Sequence, residues 1–206
     1  MLTRKQRIIK RIFDLTISLV LFLLLIIPLL LLTGIATMST KQRGIFTQQR
    51  IGRYGNRFSI YKIRSLKGSE HLDILVIKKS ETGFGRWIRE TNLDELPQLI
   101  NVIIGNMSLV GPRPDVPGYA DSLQGEDRII LSVKPGITGP ATIKYRNEDK
   151  LLMQQVNPKK YNDEVIWPDK VAINKKYIKN WSLQKDIGYL FTSLFGMSSD
   201  PDSYRK

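Results

Sequence analysis

One apolar run near the N-terminus constrains the fold of this chain more than any other feature. It extends from Leu15 to Leu32 and is interrupted only by two hydroxyl residues and by Pro28. Eighteen residues of α-helix extend about 27 Å, which barely matches the hydrocarbon thickness of a membrane. The run therefore predicts a membrane-inserted helix. A cleaved signal peptide is the alternative, but no convincing small-x-small cleavage site follows, and the run is long for one.

The charges on either side of this run bear on its path. Basic residues lie both before and after it, namely Arg4, Lys5, Arg7, Lys10 and Arg11, then Lys41, Arg43, Arg50, Arg53 and Arg57. The positive-inside rule therefore favours a cytoplasmic position for both ends. A helix that bends at Pro28 and returns satisfies this rule, because proline removes one hydrogen bond and disfavours helical geometry at Ile27. A single-pass helix with a mild kink at Pro28 is the alternative that the residues alone leave open.

Length limits the number of domains. With 206 residues, 42% of them hydrophobic, the chain has material for one compact domain plus a membrane element, but not for two substantial domains. We predict a membrane-anchoring segment over residues 1–40 and one domain over residues 41–206.

Composition limits the available chemistry. There is no cysteine, so disulfides and cysteine-bound metals are excluded. A single histidine, His71, argues against a Ser-His-Asp triad and against a multi-histidine zinc site. Any reaction must therefore use carboxylates, lysines and arginines, with or without a hard metal ion. Thirty-two Lys and Arg against 19 Asp and Glu give a formal charge of +13, which predicts an anionic partner: nucleic acid, anionic lipid or a phosphorylated substrate.

The middle of the chain joins an acidic pair to an apolar periodic segment. Leucine, isoleucine and valine recur there at helical spacing, and Asn92 followed by Glu95 is typical of an N-cap with its capping partner. This pattern predicts a helix with Asp94 and Glu95 in its first turn, where the helix dipole keeps carboxylates ionised and N–H groups can receive a phosphate. Arg89 would hold Asp94 ionised or bind a transferred phosphate, with a surface ion pair as the alternative.

Two proline-rich segments follow this predicted helix. In Pro112-Arg113-Pro114 the prolines fix the backbone on either side of one guanidinium, an arrangement that suits bidentate phosphate recognition. The Pro- and Gly-dense segment from Lys134 to Pro140 predicts a defined loop rather than regular structure. An ordinary buried helix followed by a proline-rich turn is the alternative for each of these pieces alone.

Two short extended segments precede the acidic pair, over residues 45–52 and 58–65. The Gly55-Asn56 turn between them predicts a β-hairpin. Lys62 and Arg64 alternate onto one face, where they would cradle a phosphate or a nucleotide; a solvated edge strand is the alternative. Near the C-terminus, residues 187–197 predict an amphipathic helix at a membrane surface, with core packing as the alternative.

Several strings together resemble the bacterial sugar transferase family, and in particular its small monotopic phosphoglycosyl transferases. The resemblance extends from about Lys10 to Phe195. Its strings are Phe46-Thr-Gln-Gln-Arg-Ile-Gly52, Phe58-Ser-Ile-Tyr-Lys62, Leu93-Asp-Glu-Leu-Pro-Gln-Leu99, Asn101-Val102, Met107-Ser108, Val110-Gly-Pro-Arg-Pro114, Lys134-Pro-Gly-Ile-Thr-Gly139 and Tyr177-Ile-Lys-Asn-Trp-Ser-Leu183.

The resemblance implies a mostly helical α+β fold. It implies an N-terminal re-entrant membrane helix broken at a proline, and a small cytoplasmic catalytic domain with a short β-hairpin and amphipathic helices on the membrane surface. Members usually carry Ser-Pro at the break, whereas this chain has Ile27-Pro28. The implied location is the cytoplasmic face of the bacterial inner membrane.

The resemblance also implies an activity. A phospho-sugar would pass from a UDP-sugar to polyprenyl (undecaprenyl) phosphate through a covalent aspartyl intermediate, releasing UMP and starting the assembly of a lipid-linked glycan. Asp94 would be the nucleophile and a ligand of Mg²⁺, and Glu95 would orient its surroundings. The residues carried over for the phosphates and the nucleotide are Lys62, Arg89, Arg113 and Arg146; those on the lipid side are Lys10 and Pro28.

The expected partners are a UDP-sugar, polyprenyl phosphate and membrane phospholipids, without nucleic acid, and the sequence leaves a homodimer open. The segment from Pro140 to Asn147 departs from the family pattern in its middle, which leaves the sugar undefined. A membrane-anchored basic binding protein, and a glycosyltransferase that releases UDP, are the alternative functions.

Overall fold

The computed structural model describes residues 1–68 and 80–195, a mostly helical α+β structure with small sheets. His71 and residues 196 and 197 of the predicted C-terminal helix lie outside the described residues. The helices and strands, in chain order, are α1 (Arg4–Thr40), β1 (Ile45–Ile51), β2 (Arg57–Ile63), α2 (Gly83–Glu90), α3 (Gln98–Ile104), β3 (Ser108–Val110), β4 (Gly136–Thr138), α4 (Pro140–Lys144), α5 (Glu148–Met153), α6 (Pro158–Tyr161), α7 (Trp167–Lys179) and α8 (Leu183–Phe195).

Contacts between residues divide the chain into two units. The first contains Met1–Asp14, Arg50–Phe58 and the chain from Asn106 onward, and the second contains Leu15–Gln49 and Ser59–Gly105. The predicted division into residues 1–40 and 41–206 concerns membrane anchoring, so it stays a prediction.

Helix α1 confirms the long apolar N-terminal helix. It contains 37 residues with Pro28 inside, and its most apolar window has a mean hydropathy of 3.1 with 6% of the window buried. By length and composition it is able to cross a membrane. Helical structure continues through Pro28, so the proline does not end the helix. The re-entrant path remains a prediction.

One face of α1 contributes to the core of the second unit. Phe22, Leu29 and Ala36 are spaced seven residues apart and lie on the same face of the helix. They belong to a cluster with Ile63 of β2 and Ile88 of α2. The other members, packed against it and partly buried, are Leu32, Phe84, Leu93 and Leu96. Leu93 and Leu96 flank the acidic pair, so this core anchors the turn that carries it.

The predicted hairpin is confirmed as a two-stranded sheet of β1 and β2. The connection contains Tyr54 and Gly55 with φ angles of 61° and 84°, and the Gly52 N–H donates to the Asn56 carbonyl at 2.8 Å. A left-handed conformation at these two positions closes the turn that Gly55 and Asn56 indicated.

A second sheet corrects the loop predicted for residues 134–140. Strand β4 pairs in parallel with β3, with Ser108 opposite Gly136 and Val110 opposite Thr138. The backbones approach so closely that a Cβ atom on Gly136 would lie 2.1 Å from the Gly111 nitrogen. Only glycine fits there, and this close approach explains a glycine that otherwise indicates a loop.

Candidate active site

The acidic pair lies in a short 3₁₀ turn, Leu93–Glu95, rather than in the first turn of an α-helix. Asn92 has φ 56° and makes no side-chain capping bond, and its N–H donates to the Arg89 carbonyl at 3.1 Å. Asparagine is among the few residues that adopt this left-handed conformation readily, and helices often end with one. Asn92 therefore ends α2, and its prediction as an N-cap is wrong.

Pro97 explains why the α-helix starts late. It has no N–H to donate to the Leu93 carbonyl, so the turn closes with the shorter bond from the Leu96 N–H to Leu93, at 3.3 Å. Helix α3 begins at Gln98. The acidic pair therefore precedes α3 rather than lying in its first turn, and its environment includes charged side chains from elsewhere in the chain.

Lys62 supplies that environment. Its Nζ lies 2.8 Å from Glu95 Oε1 and 3.8 Å from Asp94 Oδ2. Both carboxylate side chains are 11% exposed and that of Lys62 is 20% exposed. Two adjacent carboxylates thus share one ammonium where little solvent screens them, which strengthens their attraction to that charge. The structure thus brings Lys62 to the acidic pair, and its predicted role toward the phosphates or the nucleotide stays a prediction.

Asn101 joins the strand of Lys62 to the helix that follows the acidic pair. Its Nδ2 donates to the Ser59 carbonyl at 2.8 Å, and its Oδ1 accepts from the Tyr61 N–H at 3.1 Å. The residue is fully buried. Both ends of the amide are satisfied by β2 next to Lys62, so the amide pairs with this strand as a neighbouring strand would.

Arg89 lies in the last turn of α2, and its Nη1 is 3.8 Å from Glu81 Oε1. Helix α2 starts at a Thr82 cap whose hydroxyl accepts from the Gly85 N–H at 2.8 Å. The predicted role of Arg89 toward a phosphate stays a prediction.

Arg113 belongs to the other unit and is exposed. Three bonds fix the backbone around it. Pro112 O accepts from the Gly136 N–H at 2.8 Å, Pro114 O from Arg50 Nη1 at 3.3 Å and Asp115 O from the Ile51 N–H at 2.9 Å. The backbone on both sides of Arg113 is therefore held by hydrogen bonds, and the role of its guanidinium toward a phosphate stays a prediction.

Asp115 lines a small cavity together with Arg113. Burial raises the pKa of the Asp115 carboxyl to about 6, although Lys170, Arg50 and Arg113 act to lower this pKa and Glu148 adds to it. Lys170 is itself paired with Glu148, at 2.6 Å from Oε2. Asp115 therefore changes charge closer to neutral pH than an ordinary aspartate.

Arg146 binds main chain in this structure. Its Nη2 donates to the Ser193 carbonyl at 2.8 Å and to the Thr192 carbonyl at 3.3 Å. These carbonyls belong to the last turn of α8, where a cation is favourable. The prediction that Arg146 binds the nucleotide stays open, and the guanidinium also holds a helix end.

Lys10 is buried among carboxylates. Its Nζ donates to Asp186 Oδ2 at 2.5 Å and lies 4.0 Å from Asp14 Oδ1. Asp186 also accepts from the Tyr177 hydroxyl at 2.7 Å and from Trp181 Nε1 at 2.9 Å. Burial, and then the Asp186 charge, raise the pKa of the Tyr177 phenol well above its ordinary range, so it remains a donor. A lipid phosphate would have to compete with Asp186 for Lys10.

Oxygen donors suited to Mg²⁺ are present at Asp94 and Glu95. Among residues 1–68 and 80–195, no group of three or more histidine, cysteine, aspartate or glutamate residues is arranged to hold a metal ion. Mg²⁺ is commonly held by one or two carboxylates, with substrate phosphates and water completing its shell. The acidic pair fits such a partial site.

The sequence profile of the family described as bacterial sugar transferase matches residues 5–199. The chain therefore belongs to the bacterial sugar transferase family, as its motifs predicted. It is 34% identical to the undecaprenyl-phosphate galactose phosphotransferase of Salmonella typhimurium, over 91% of this chain and 40% of that protein. It is 35% identical to the UDP-glucose:undecaprenyl-phosphate glucose-1-phosphate transferase of Escherichia coli, over 92% and 40%.

A shorter relative is the uncharacterized sugar transferase EpsL of Bacillus subtilis, 35% identical over 89% of this chain and 84% of that protein. The chain spans about two fifths of the length of the Salmonella and Escherichia proteins. The similarity to all three proteins therefore concerns a stretch of sequence that forms part of two long chains and most of one short chain.

Sequence reasoning missed three residues of this architecture. Asn101 was noticed only as part of a family string, and Asp186 and Asp115 carried no pattern of their own. Their partners lie far along the chain: Asp186 is 176 residues from Lys10, and Asn101 is 40 from Tyr61. Burial of a polar residue is the signal that would have found them, and it is visible only in the folded chain.

Proposed function

We propose that this chain transfers a phospho-sugar from a UDP-sugar to a polyprenyl phosphate such as undecaprenyl phosphate, and releases UMP. The product would be a polyprenyl-diphosphate sugar, the first lipid-linked unit of a capsule, O-antigen, exopolysaccharide or glycoprotein glycan. Family membership and the names of the relatives support the general reaction. The observation that carries the proposal in this chain is the pair of adjacent carboxylates sharing Lys62.

In the first step an oxygen of Asp94 attacks the phosphorus that carries the sugar. A bond forms between this oxygen and phosphorus, the bond from phosphorus to the oxygen of UMP breaks, and UMP leaves. In the second step a phosphate oxygen of the polyprenyl phosphate attacks the same phosphorus, and Asp94 leaves as a carboxylate. A carboxylate nucleophile divides one displacement between two bulky anions into two easier steps.

The geometry supports a division of roles within the acidic pair. Glu95 lies 2.8 Å from Lys62, whereas Asp94 lies 3.8 Å from it. Glu95 fixes Lys62 by the shorter contact, and Asp94 makes the longer contact with this ammonium. A carboxylate oxygen that a cation holds tightly has less electron density available for attack on phosphorus. Of the two carboxylates, Asp94 is therefore the better nucleophile with respect to Lys62.

Positive charge is needed around the transferred phosphate. Lys62 is in contact with the acidic pair, and we assign Arg89, Arg113 and Arg146 to the phosphates and the nucleotide on the family resemblance. Asp94 and Glu95 would hold Mg²⁺, which supplies neutralisation of the diphosphate charge when bound. Asp94 is the ligand implied by the resemblance.

We further propose that α1 is a re-entrant membrane helix that bends at Pro28 and leaves the catalytic residues on the cytoplasmic face of the bacterial inner membrane. Lys10 and Pro28 would then lie on the lipid side, and phospholipids would surround the exposed apolar face of α1. Helix α8 offers a second apolar face, in which Phe191, Leu194 and Phe195 are 58%, 77% and 68% exposed. Such a face suits the boundary between headgroups and acyl chains.

The reaction is tested with lipid-solubilised protein, Mg²⁺, undecaprenyl phosphate and a panel of UDP-sugars. We expect UMP release by the wild type, dependent on the lipid for turnover, and loss of this release in Asp94→Asn. Asp149→Asn, an exposed carboxylate elsewhere in the chain, is the matched control and should keep wild-type release. Intact mass measurement without lipid acceptor should show one phospho-sugar added to the wild type and none added to Asp94→Asn.

Other outcomes point elsewhere. Release of UDP would indicate a glycosyltransferase, and undiminished UMP release by Asp94→Asn would remove Asp94 as the nucleophile. No release from any sugar in the panel would favour a membrane-anchored basic binding protein. The best substrate of the panel would name the sugar, and size-exclusion chromatography with light scattering would test for a homodimer.

A further inference from the structure

The amide of Asn101 makes an unusual contact for a side chain. It bonds the carbonyl of Ser59 and the N–H of Tyr61, two groups that point to the same edge of β2. In the described part of the chain this sheet has two strands, so β2 has one edge without a neighbouring strand. Asn101 is fully buried, which means that its two bonds have no competition from solvent.

This contact closes a ring through the candidate active site. Tyr61 is followed directly by Lys62, whose ammonium contacts Glu95 and Asp94. From Glu95 the chain passes through Pro97 into α3 and reaches Asn101. Two sets of contacts therefore connect β2 with the segment from Asp94 to Asn101. The Lys62 ammonium contacts the two carboxylates, and the Asn101 amide bonds the β2 backbone. A shift of β2 against α3 would change both.

The relevant distances differ by little. Lys62 Nζ is 2.8 Å from Glu95 Oε1 and 3.8 Å from Asp94 Oδ2, so its preference for Glu95 amounts to about 1 Å. A misplacement of that size in an active site is able to cost about a hundredfold in rate. What holds Lys62 in this position thus decides which carboxylate it engages.

We propose that Asn101 is a positioning residue for Lys62: its buried amide holds β2 against α3 so that the ammonium engages Glu95 more closely than Asp94. The catalytic meaning of this position rests on the proposed function, whereas the position itself does not. Asn101 acts through Lys62 and does not touch the reacting atoms.

The test reads the state of Lys62 directly. Full-length protein in lipid nanodiscs is treated with an amine-selective reagent, and the modification of Lys62 is measured by mass spectrometry relative to Lys159 in the same molecules. Lys159 has an 83% exposed side chain and serves as an internal reference. In the wild type the contacts with Glu95 and Asp94 leave the Lys62 side chain only 20% exposed, which limits access of the reagent to it. We expect Asn101→Ala to raise the Lys62-to-Lys159 ratio several-fold, because β2 is then no longer held and the ammonium leaves this partly buried position.

Asn174→Ala is the matched control, since Asn174 is also a buried asparagine and lies in the other unit. It should leave the ratio unchanged. An unchanged ratio in Asn101→Ala, or an equal rise in Asn174→Ala, would overturn the proposal, because Asn101 would then act only through general stability.

Asn101→Asp adds a pH-dependent arm that remains informative if Asn101→Ala does not fold. A protonated carboxylic acid donates to Ser59 and accepts from Tyr61, as the amide does, whereas the ionised form has no proton to donate. Burial raises the pKa of such a carboxyl. The ratio should therefore be wild-type at pH 6 and raised at pH 8, each compared with wild type at the same pH. A ratio that does not change between these conditions contradicts the proposal.

The two proposals fail separately. If the ratio changes as expected while the wild type releases no UMP, Asn101 positions Lys62 and the proposed reaction is wrong. If UMP is released and the ratio is constant, the reaction stands without this role for Asn101.

Discussion

Two lysine–carboxylate groups in this molecule each place one ammonium near two carboxylates, but they differ in burial and in the other donors that they contain. Around Asp186, one carboxylate receives donors from Lys10, Tyr177 and Trp181 and is fully buried. Around Lys62, two carboxylates share one ammonium and remain partly exposed. The Asp186 carboxylate is held by three donors inside the fold, whereas the Asp94 and Glu95 carboxylates are adjacent in the chain and keep some contact with solvent. The second arrangement suits a substrate with phosphates and a metal.

The sharpest test of this contrast uses the same substitution in both groups. Asp94→Asn should lower the rate of UMP release by about 10³-fold or more, because the amide is not a nucleophile, while the unfolding midpoint stays close to wild type. Asp186→Asn should do the reverse and act mainly on stability. Initial rates and thermal unfolding of the two variants in the same nanodiscs provide the measurement. An equal loss of stability in Asp94→Asn and Asp186→Asn would contradict the distinction between a catalytic and a structural carboxylate.

Removing the Asp186 side chain should have the next largest effect. Asp186→Ala leaves the Lys10 ammonium, the Tyr177 hydroxyl and the Trp181 N–H without their shared acceptor. Loss of one partner of a buried ion pair typically costs about 3–5 kcal/mol. Denaturant unfolding followed by tryptophan fluorescence measures the free energy of unfolding. Asp163→Ala removes an exposed pair with Lys159 and a bond from the Tyr119 hydroxyl, and as the control it should cost much less.

Within the acidic pair, Glu95→Gln should have a smaller effect than Asp94→Asn. The amide keeps the shape of the side chain but loses the charge that holds Lys62 at 2.8 Å. Lys62 then turns to Asp94 and lowers its nucleophilicity, which we expect to reduce the rate of UMP release about a hundredfold. Steady-state rates at saturating UDP-sugar measure this. A loss as large as that of Asp94→Asn would mean that the roles are not divided as proposed.

The smallest expected effect is that of Asp115→Asn on the pH dependence of the free energy of unfolding. The Asp115 pKa of about 6 in the folded chain lies above the ordinary value of 3.8, so between these values the folded state binds more protons than the unfolded state. Stability should therefore fall as pH rises from about 4 to about 6, by about 2 kcal/mol for this group after allowance for its partial exposure. Unfolding midpoints across this range should show a weaker decline in Asp115→Asn than in the wild type. An identical decline would assign the pH dependence to other groups.

The comparison also shows what a sequence is able to reveal. Patterns of neighbouring residues predicted α1, the β1–β2 hairpin and the family strings, because apolar runs, turn residues and motifs are local. The family resemblance assigned Lys62, Asp94 and Glu95 to one active site, but it did not predict the contact between them. By contrast, the Asn101 amide bonds backbone groups 40 and 42 positions away, and the Lys10 ammonium that donates to Asp186 is 176 positions away.

Two errors have local causes that are instructive. Asn92 followed by Glu95 matched an N-cap, but asparagine also suits the left-handed position that ends a helix, and here that second preference prevails. The segment around Gly136 matched a loop, but glycine also permits two backbones to approach within the volume of a side chain. In both cases one residue type has two structural uses, and only the tertiary partner selects between them.

The bond between Lys10 and Asp186 imposes an order on synthesis. At about 5–20 residues per second, the 176 residues between them take roughly ten to thirty seconds to translate. For most of that interval the apolar helix has already been translated, while Lys10 still lacks its partner carboxylate. The N-terminal helix is therefore made before the C-terminal helices exist. The ion pair between Lys10 and Asp186 forms only after the whole chain between these two residues has been translated.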